Sequence, residues 1–408
     1  MDGMPSVLLL CGVAACVLAV LNLRRSRTLA RVLRPRVPDP GTAVHALPPV
    51  SVLAPCRGVD SHFEWYARAL LSQDYPSYAV LFVVESAADP AWREIHRVLA
   101  DTPDAPASLI LAGTAEGCSQ KIHNLLAGIA HVAPETSVLA FVDSDVQIHP
   151  HWLRALVMPL DDAAVGATSG YRWYVPSPGS VAGSLRSAWN AATLGLMTHP
   201  RYGFAWGGSS AIRREVFEKL RIPEAWARGL SDDLLLTQAV RAAGLRIPFV
   251  ADDLVPTFEP CTWRHLIEWT NRQVTIGRIY VPHSWTASLL VHLTSLTLGA
   301  LGLTAIASGE WFASALLSSY WVLNGIGSLA VCRAALRRLS AHGFVVPQRA
   351  WPQALWGPAV TALALVNMVV SLTTRTITWR GISYTMRSPQ HVVVHRNALA
   401  PAPPSRTS

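Results

Sequence analysis

The stretch "SVLAFVDSDVQIHP", residues 137–150, contains a five-residue apolar run, Val138 to Val142, that stops abruptly at Asp143, Ser144 and Asp145. A short run that is apolar on both faces reads as a buried strand. Such strands belong to parallel sheets covered by helices on both sides. In open sheets of this kind, ligands bind beyond the carboxyl ends of the strands. Asp143 and Asp145 are therefore expected at the mouth of a binding site.

Upstream, the same alternation repeats. "VSVLAP" reads as a strand starting at Val50, "HFEWYARALLSQ" as an amphipathic helix, "YAVLFVVES" as a strand, "PAWREIHRVLAD" as a helix, "ASLILAG" as a strand and "CSQKIHNLLAGIAHVA" as a helix. This order predicts an α/β domain with a mostly parallel sheet and helices on both faces. Before it, "RPRVPDPGTAVHALPPV" is a Pro-rich linker whose prolines forbid regular structure.

The chain has 408 residues, 51% of them hydrophobic and only 15% charged, which is too apolar for an ordinary cytosolic enzyme. Val7 to Leu23, roughly Ala287 to Ile306, roughly Phe312 to Val331 and roughly Leu355 to Leu372 each approach the ~20 residues that span a bilayer. The first lacks a basic leader and a small-residue cleavage site, so it reads as a retained anchor. Arg24, Arg25, Arg27, Arg31, Arg34 and Arg36 follow it, which places the next domain in the cytoplasm. The net charge of +8 accordingly reads as membrane orientation and contact with anionic lipid, not as nucleic-acid binding. Four full spans would leave the C-terminus outside, yet Arg375, Arg380, Arg387 and Arg396 argue for inside. Pro352, Gly357 and Pro358 would permit a kinked or re-entrant last segment. The Pro/Ser-rich tail after Ala398 reads as disordered. The six cysteines show no ligand spacing and no disulfide framework.

Two hard carboxylates in D-x-D spacing suit magnesium or manganese, which would neutralise a diphosphate. A bare D-x-D more often marks strand-end aspartates that cap a turn, so other residues must decide. "GLSDDLLLTQAVRAAGLRIPFV" supplies a second acidic cluster, Ser231, Asp232 and Asp233, at the start of a helix. One of these can serve as N-cap, which leaves a carboxylate free for general-base work. Between the clusters, Gly207 and Gly208 permit close backbone approach, as an acceptor wall or simply as a turn. His149 and His151 read as loop residues. No Walker A motif, H-E-x-x-H, G-x-S-x-G or dinucleotide fingerprint is present, which removes those enzyme classes.

Taken in order, "VSVLAPCRGVD", "QDYPSYAVLFVVESAADPA", "KIHNLLAGI", "FVDSDVQIHPHWL", "THPR", "GGSSAIRREVF", "LSDDLLLTQAVRAAGLR" and "TITWRGISY" resemble a known set of motifs. The sequence is similar to the membrane-bound glycosyltransferases of family 2 and to the ceramide-glucosyltransferase branch, family 21, which includes bacterial hopanoid glycosyltransferases. The resemblance implies a GT-A fold, a nucleotide-diphospho-sugar transferase sheet, in a multi-pass protein of the cell inner membrane with its catalytic domain in the cytoplasm. Residues 1–23 would be the anchor, 24–49 the basic linker, 50–284 the catalytic domain, 285–374 a region of two to three spans and 375–408 a basic tail.

Carried over residue by residue, the resemblance puts Pro55 and Arg57 near the nucleotide, Glu85 or Ser86 near uridine, and Lys121 and Asn124 along the nucleotide site. Asp143 and Asp145 would hold Mn2+ or Mg2+ with the diphosphate, and Asp233, beside Asp232, would be the base. His199 would sit near the acceptor. The family's Q/R-x-x-R-W motif is degenerate here: Arg272-Gln273 is followed by Thr275-Ile276, and another register pairs Arg264 with Glu268-Trp269. Arg272, Gln273 and Arg278 stand as the site residues of that segment. Pro106 replaces an aspartate of the ceramide enzymes.

The expected activity is inverting transfer of a sugar from a nucleotide sugar, a UDP-sugar first, to a hydroxyl of a membrane lipid such as ceramide, a hopanoid or diacylglycerol. The alternatives are a processive polysaccharide synthase and a non-catalytic protein that binds nucleotide sugar or lipid.

Overall fold

The computed structural model describes residues 4–35, 47–199, 202–347, 350 and 354–396. The Pro-rich linker and the tail after Ala398 lie outside the described residues, apart from the linker's two ends. The chain opens with α1 (Met4–Val32), which runs on through the arginines instead of stopping at Leu23. Then come β1 (Val50–Cys56), α2 (Phe63–Leu71), β2 (Tyr78–Val84), α3 (Pro90–Asp101), β3 (Ala107–Leu111), α4 (Gln120–Ile129) and β4 (Val138–Val142). Asp89 caps α3 by accepting from the Ala91 N–H, and Ser119 caps α4 by accepting from that of Ile122.

Beyond β4 lie α5 (Trp152–Val157), β5 (Ala167–Tyr174), α6 (Val181–Met197), β6 (Ser209–Arg213), α7 (Arg214–Lys219), α8 (Ile222–Trp226), α9 (Asp232–Ala242) and β7 (Phe249–Thr257). The seven strands form one sheet in the order β3-β2-β1-β4-β6-β5-β7. β1 pairs in parallel with β2 and β4, and β2 with β3, whereas β6 runs antiparallel to both β4 and β5. The sheet is therefore mixed but mostly parallel.

β4 is apolar on both faces because each face meets its own layer. Val138, Ala140 and Val142 of β4 join Val52, Val80 and Phe82 in a core with α2, α3 and α5. Leu139 and Phe141 point the other way, to a core with α4, α7, α8 and α9. This two-sided burial is the physical reason the run Val138–Val142 shows no polar alternation.

The remaining elements are α10 (Trp263–Tyr280), α11 (Pro282–Ala307), α12 (Trp311–Ala341), α13 (Gly357–Thr373) and a three-stranded antiparallel sheet of β8 (Thr376–Trp379), β9 (Ile382–Ser388) and β10 (His391–His395). Among the described residues, three helices, α1, α11 and α12, are long and apolar enough to cross a membrane. The protein is accordingly membrane-associated.

α13 has only 17 residues, and its contacts show what it does instead. Leu363 packs in the cluster of Leu266, and Asn367 Nδ2 donates to Thr270 Oγ1 at 3.0 Å and to Asn271 Oδ1 at 2.7 Å. Arg278 donates to the Thr374 carbonyl at 3.1 Å. α13 thus lies alongside α10, running in the same direction. The end of α12 is tied to the sheet domain, where Arg338 pairs with Asp252 of β7. β8–β10 are tied to it as well, through Arg57 Nε, which donates to the Arg380 carbonyl at 3.0 Å. Both ends of α13 therefore lie near the sheet domain, the arrangement expected of a re-entrant last segment.

Candidate active site

β1 and β4 end side by side, and the N-terminus of α4 faces them. One open cavity at these ends is bounded by Pro55, Arg57, Lys121, Asn124, Asp143 and Asp145, all expected from the sequence. Cys56, Gln120 and Ser144 complete that rim, and Trp379, Arg380 and Tyr384 come from the C-terminal sheet. A second cavity, against Asp60, His62, Gln147 and Glu259, adjoins the other side of the loop at Ser144 and Asp145.

Lys121 joins the two acidic clusters. Its Nζ lies 2.8 Å from Asp143 Oδ1 and 3.1 Å from Asp232 Oδ2. Burial alone would lower the Lys121 pKa, but these two carboxylates outweigh it and hold the ammonium well above its ordinary value. Burial pushes Asp232 up to about 6, with Lys121 pulling the other way and the charges of Asp233 and Asp143 adding to the rise. Gly207 makes this approach possible: a Cβ there would fall within 2.7 Å of Lys121 Nζ and closer still to Asp232 Oδ2.

Ser231 stands at the N-cap of α9 but makes no capping hydrogen bond with its side chain. Its hydroxyl donates instead to Asp233 Oδ1, which also accepts from the Leu234 N–H at 2.7 Å. Asp233 Oδ2 accepts from the Gly207 N–H at 3.5 Å. The second acid is thereby oriented, and it is less buried than Asp232.

Arg172, on β5, was not anticipated from the sequence. Its guanidinium donates to Asp145 Oδ1 at 2.6 Å and Oδ2 at 2.8 Å, to Asp143 Oδ2 at 3.0 Å and to the Tyr174 hydroxyl at 3.0 Å. Burial opposes its charge, but Asp145, with Tyr174 and Asp143, more than compensates. Burial would raise the Asp143 pKa, yet Lys121 and Arg172 together hold it below the usual carboxylate range. Asp143 and Asp145 are hard oxygen donors that could hold a divalent cation. Among the described residues no cluster of three His, Cys, Asp or Glu could hold a metal ion. A cation at Asp143 and Asp145 would therefore take its remaining ligands from phosphate oxygens and water, as magnesium commonly does.

The other expected residues are spread more widely. Glu85 pairs with Arg57 and with Arg396, which follows β10, and Ser86 is exposed in the next turn. Asn124 Nδ2 donates to the Val83 carbonyl at 3.1 Å. Arg272 lies behind Trp379, its guanidinium 5.6 Å from the ring centroid, and like Gln273 and Arg278 it lines neither cavity. Arg278 holds α13 to α10 instead. His199, just beyond α6, packs on the Tyr202 ring at 4.5 Å and also lines neither cavity; Pro200 and Arg201 of "THPR" lie outside the described residues. Trp269 is buried edge-on against Tyr174 and Trp189, and Arg264 pairs with Glu268 on an exposed face. His149 stacks on His342 at 3.9 Å, a packing role for a residue read as part of a loop.

Among solved structures, the chain is similar to a mannosyltransferase from Pyrobaculum calidifontis in complex with GDP-Man and Mn2+, at 19% identity and a TM-score of 0.49, over 90% of this chain and 99% of that one. It is also similar to glucosyl-3-phosphoglycerate synthase from Mycobacterium tuberculosis in complex with phosphoglyceric acid, at 16% identity and a TM-score of 0.38, over 59% of this chain and 84% of that one. The family model for glycosyl transferase family 21 matches residues 7–392, nearly the whole length. The chain belongs to glycosyl transferase family 21 and is a glycosyltransferase.

Proposed function

We propose that this glycosyltransferase moves one sugar from a nucleotide sugar, a UDP-sugar, to a hydroxyl of a membrane lipid such as ceramide, a hopanoid or diacylglycerol, with inversion at the anomeric carbon. The observation that carries the reading is the Lys121 bridge, which gathers Asp143 and the Asp232/Asp233 cluster at the ends of β1 and β4. Proximity to the bilayer supports a lipid acceptor: the sheet domain runs directly into α10 and α11, and Trp263 and Ile267 are exposed on α10.

In this mechanism the acceptor oxygen attacks the anomeric carbon while the bond from that carbon to the diphosphate oxygen breaks. The electron pair leaves with the diphosphate, and the hydroxyl proton passes to Asp233. Ser231 and the Leu234 N–H hold Asp233 Oδ1, which leaves Oδ2, with its longer bond from the Gly207 N–H, as the proton acceptor. Lys121 keeps the two acidic clusters at one spacing. Asp143 and Asp145 would hold Mn2+ or Mg2+, and the ion, when bound, supplies positive charge at the leaving diphosphate. A cytoplasmic site at the cell inner membrane, with the arginines that follow Leu23 facing inward, fits this donor.

The test uses membranes that carry the wild type or Asp233→Asn, with Mn2+ or Mg2+ and a panel of radiolabelled UDP-sugars, and follows label into the organic phase. Lipid-soluble label that falls by about 10²-fold or more in Asp233→Asn is the expected result. Label recovered only in polymer would replace this reading with a polysaccharide synthase. Binding of nucleotide sugar without any transfer would replace it with a binding protein.

A further inference from the structure

The turn between β8 and β9, Trp379-Arg380-Gly381-Ile382, belongs to the "TITWRGISY" motif of the family resemblance, but the sequence assigned none of its residues a role and placed it in a basic tail. It nevertheless reaches the same cavity as Asp143, Asp145 and Lys121. We propose that this turn is part of the donor site, with Arg380 as a direct ligand of the nucleotide sugar's diphosphate; the proposal rests on the nucleotide-sugar reading given above.

Charge balance is the first reason. Asp143, Asp145 and Asp232 carry three negative charges against two from Lys121 and Arg172, so the inner cluster has no surplus positive charge for a diphosphate. Arg57 and Arg396 share the one carboxylate of Glu85, so neither guanidinium is free of an ion pair. Among the described residues, the Arg380 guanidinium has no hydrogen bond or ion pair, although it lies on the cavity wall and passes over Gly58. An unpaired guanidinium beside paired cations is a ready partner for an anion, and its planar fork suits phosphate oxygens.

The backbone gives a second, independent reason. Arg380 has φ +49° and Gly381 φ +80°, so both central residues of this two-residue hairpin turn are left-handed. Asn-Gly or Gly-Gly makes such a turn at least cost, and an arginine in the first position carries strain. The turn geometry therefore does not explain the side chain.

The arm is also fixed in place. Its main chain accepts from Arg57 Nε at the end of β1. The Tyr384 hydroxyl accepts from the Gln120 N–H at 3.2 Å, at the start of α4. The Trp379 ring carries Arg272, a second guanidinium with no ion pair among the described residues. Arg380 thus stands at the rim on an anchored turn, with Arg272 behind the Trp379 ring.

The test measures binding of UDP, GDP, ADP and UMP by calorimetry to the purified full-length protein, in wild-type, Arg380→Gly and Arg380→Lys forms. Glycine relieves the left-handed strain, so Arg380→Gly should keep or raise the melting temperature, which separates loss of a ligand from loss of fold. The expected result is UDP affinity about tenfold or more weaker in Arg380→Gly, UMP affinity changed less than about threefold, and partial recovery in Arg380→Lys. Equal weakening of UDP and UMP, or no weakening of either, overturns the role of Arg380 and leaves the donor site standing. If the wild type binds none of the three nucleoside diphosphates, the donor-site reading falls and this proposal with it.

Discussion

Replacing Arg172 by methionine tests the electrostatics of the site without any knowledge of its substrate. Methionine keeps much of the volume beneath Tyr174 and Trp206, over whose rings the guanidinium sits at 5.4 and 5.0 Å, and removes the charge. Among the described residues, Asp143 then keeps its ion pair with Lys121, and Asp145 has none. Breaking a buried pair from one side costs about 3–5 kcal/mol. Here the carboxylates retain 21% and 22% of their exposure, so the lower end, about 3 kcal/mol, is expected. A divalent cation that binds the two aspartates should restore stability: at a concentration 100 times its Kd it adds about 2.7 kcal/mol. The wild type should gain less, because the ion must first displace Arg172. The assay is thermal unfolding of the purified full-length protein at one fixed scan rate, with Mn2+ titrated into both forms. If the variant unfolds within about 0.5 kcal/mol of wild type, the clamp contributes nothing. If it is destabilised but Mn2+ stabilises it no more than wild type, Asp143 and Asp145 are not a metal site.

Two further outcomes follow from the fold. Burial, reinforced by the stacked His342, pushes the His149 pKa down to about 4 from an ordinary value near 6.5. Between those values the unfolded chain binds the extra proton, so stability is full above pH 6.5 and is lost as pH falls towards 4, by about 3 kcal/mol. His149→Phe keeps a ring against His342 and should flatten that part of the melting-temperature profile; an unchanged acid slope would exonerate His149. The second outcome concerns topology, read with a membrane-impermeant maleimide on sealed vesicles of known orientation. Gln390→Cys, in the turn before β10, and Ser61→Cys, in the sheet domain, should gain label from one face, and Ser308→Cys, between α11 and α12, from the other. Label at Ser308 and Gln390 from the same face would mean that α13 crosses the membrane.

β1, β2 and β4 were legible because they are buried on both faces and so carry nearly continuous apolar runs, and β3, half-exposed at the sheet edge, was legible as a short apolar run between two helices. β5 and β6 were not, although they are central strands. "ATSGYRWY" and "SSAIR" carry buried polar side chains: Arg172 holds two carboxylates of the site, and Ser209 Oγ accepts from the indole of Trp152 in the core at 2.9 Å. A residue committed to a site breaks the pattern by which its strand would be recognised. The alternation of Tyr171 and Trp173 with Arg172 and Tyr174 was the one available signal. Asp143 and Asp145 drew notice by standing at a strand end, where turn capping was the commoner explanation, and Lys121 was placed only through the family resemblance.

The C-terminal sheet escaped for a different reason. Arg57 meets Arg380 across 323 positions, and Glu85 meets Arg396 across 311, so no local pattern on either side announces the contact. What brings them together is the membrane-facing part of the chain. α11 and α12 form an out-and-back pair, α13 returns beside α10, and the last sheet is delivered to the domain that α1 and α11 flank. The number of crossings is thus a condition on the site itself: with an odd number of spans after residue 284, Trp379 and Arg380 would be on the wrong side of the bilayer from Asp143. The short α13 and the complete cavity are two consequences of one topology.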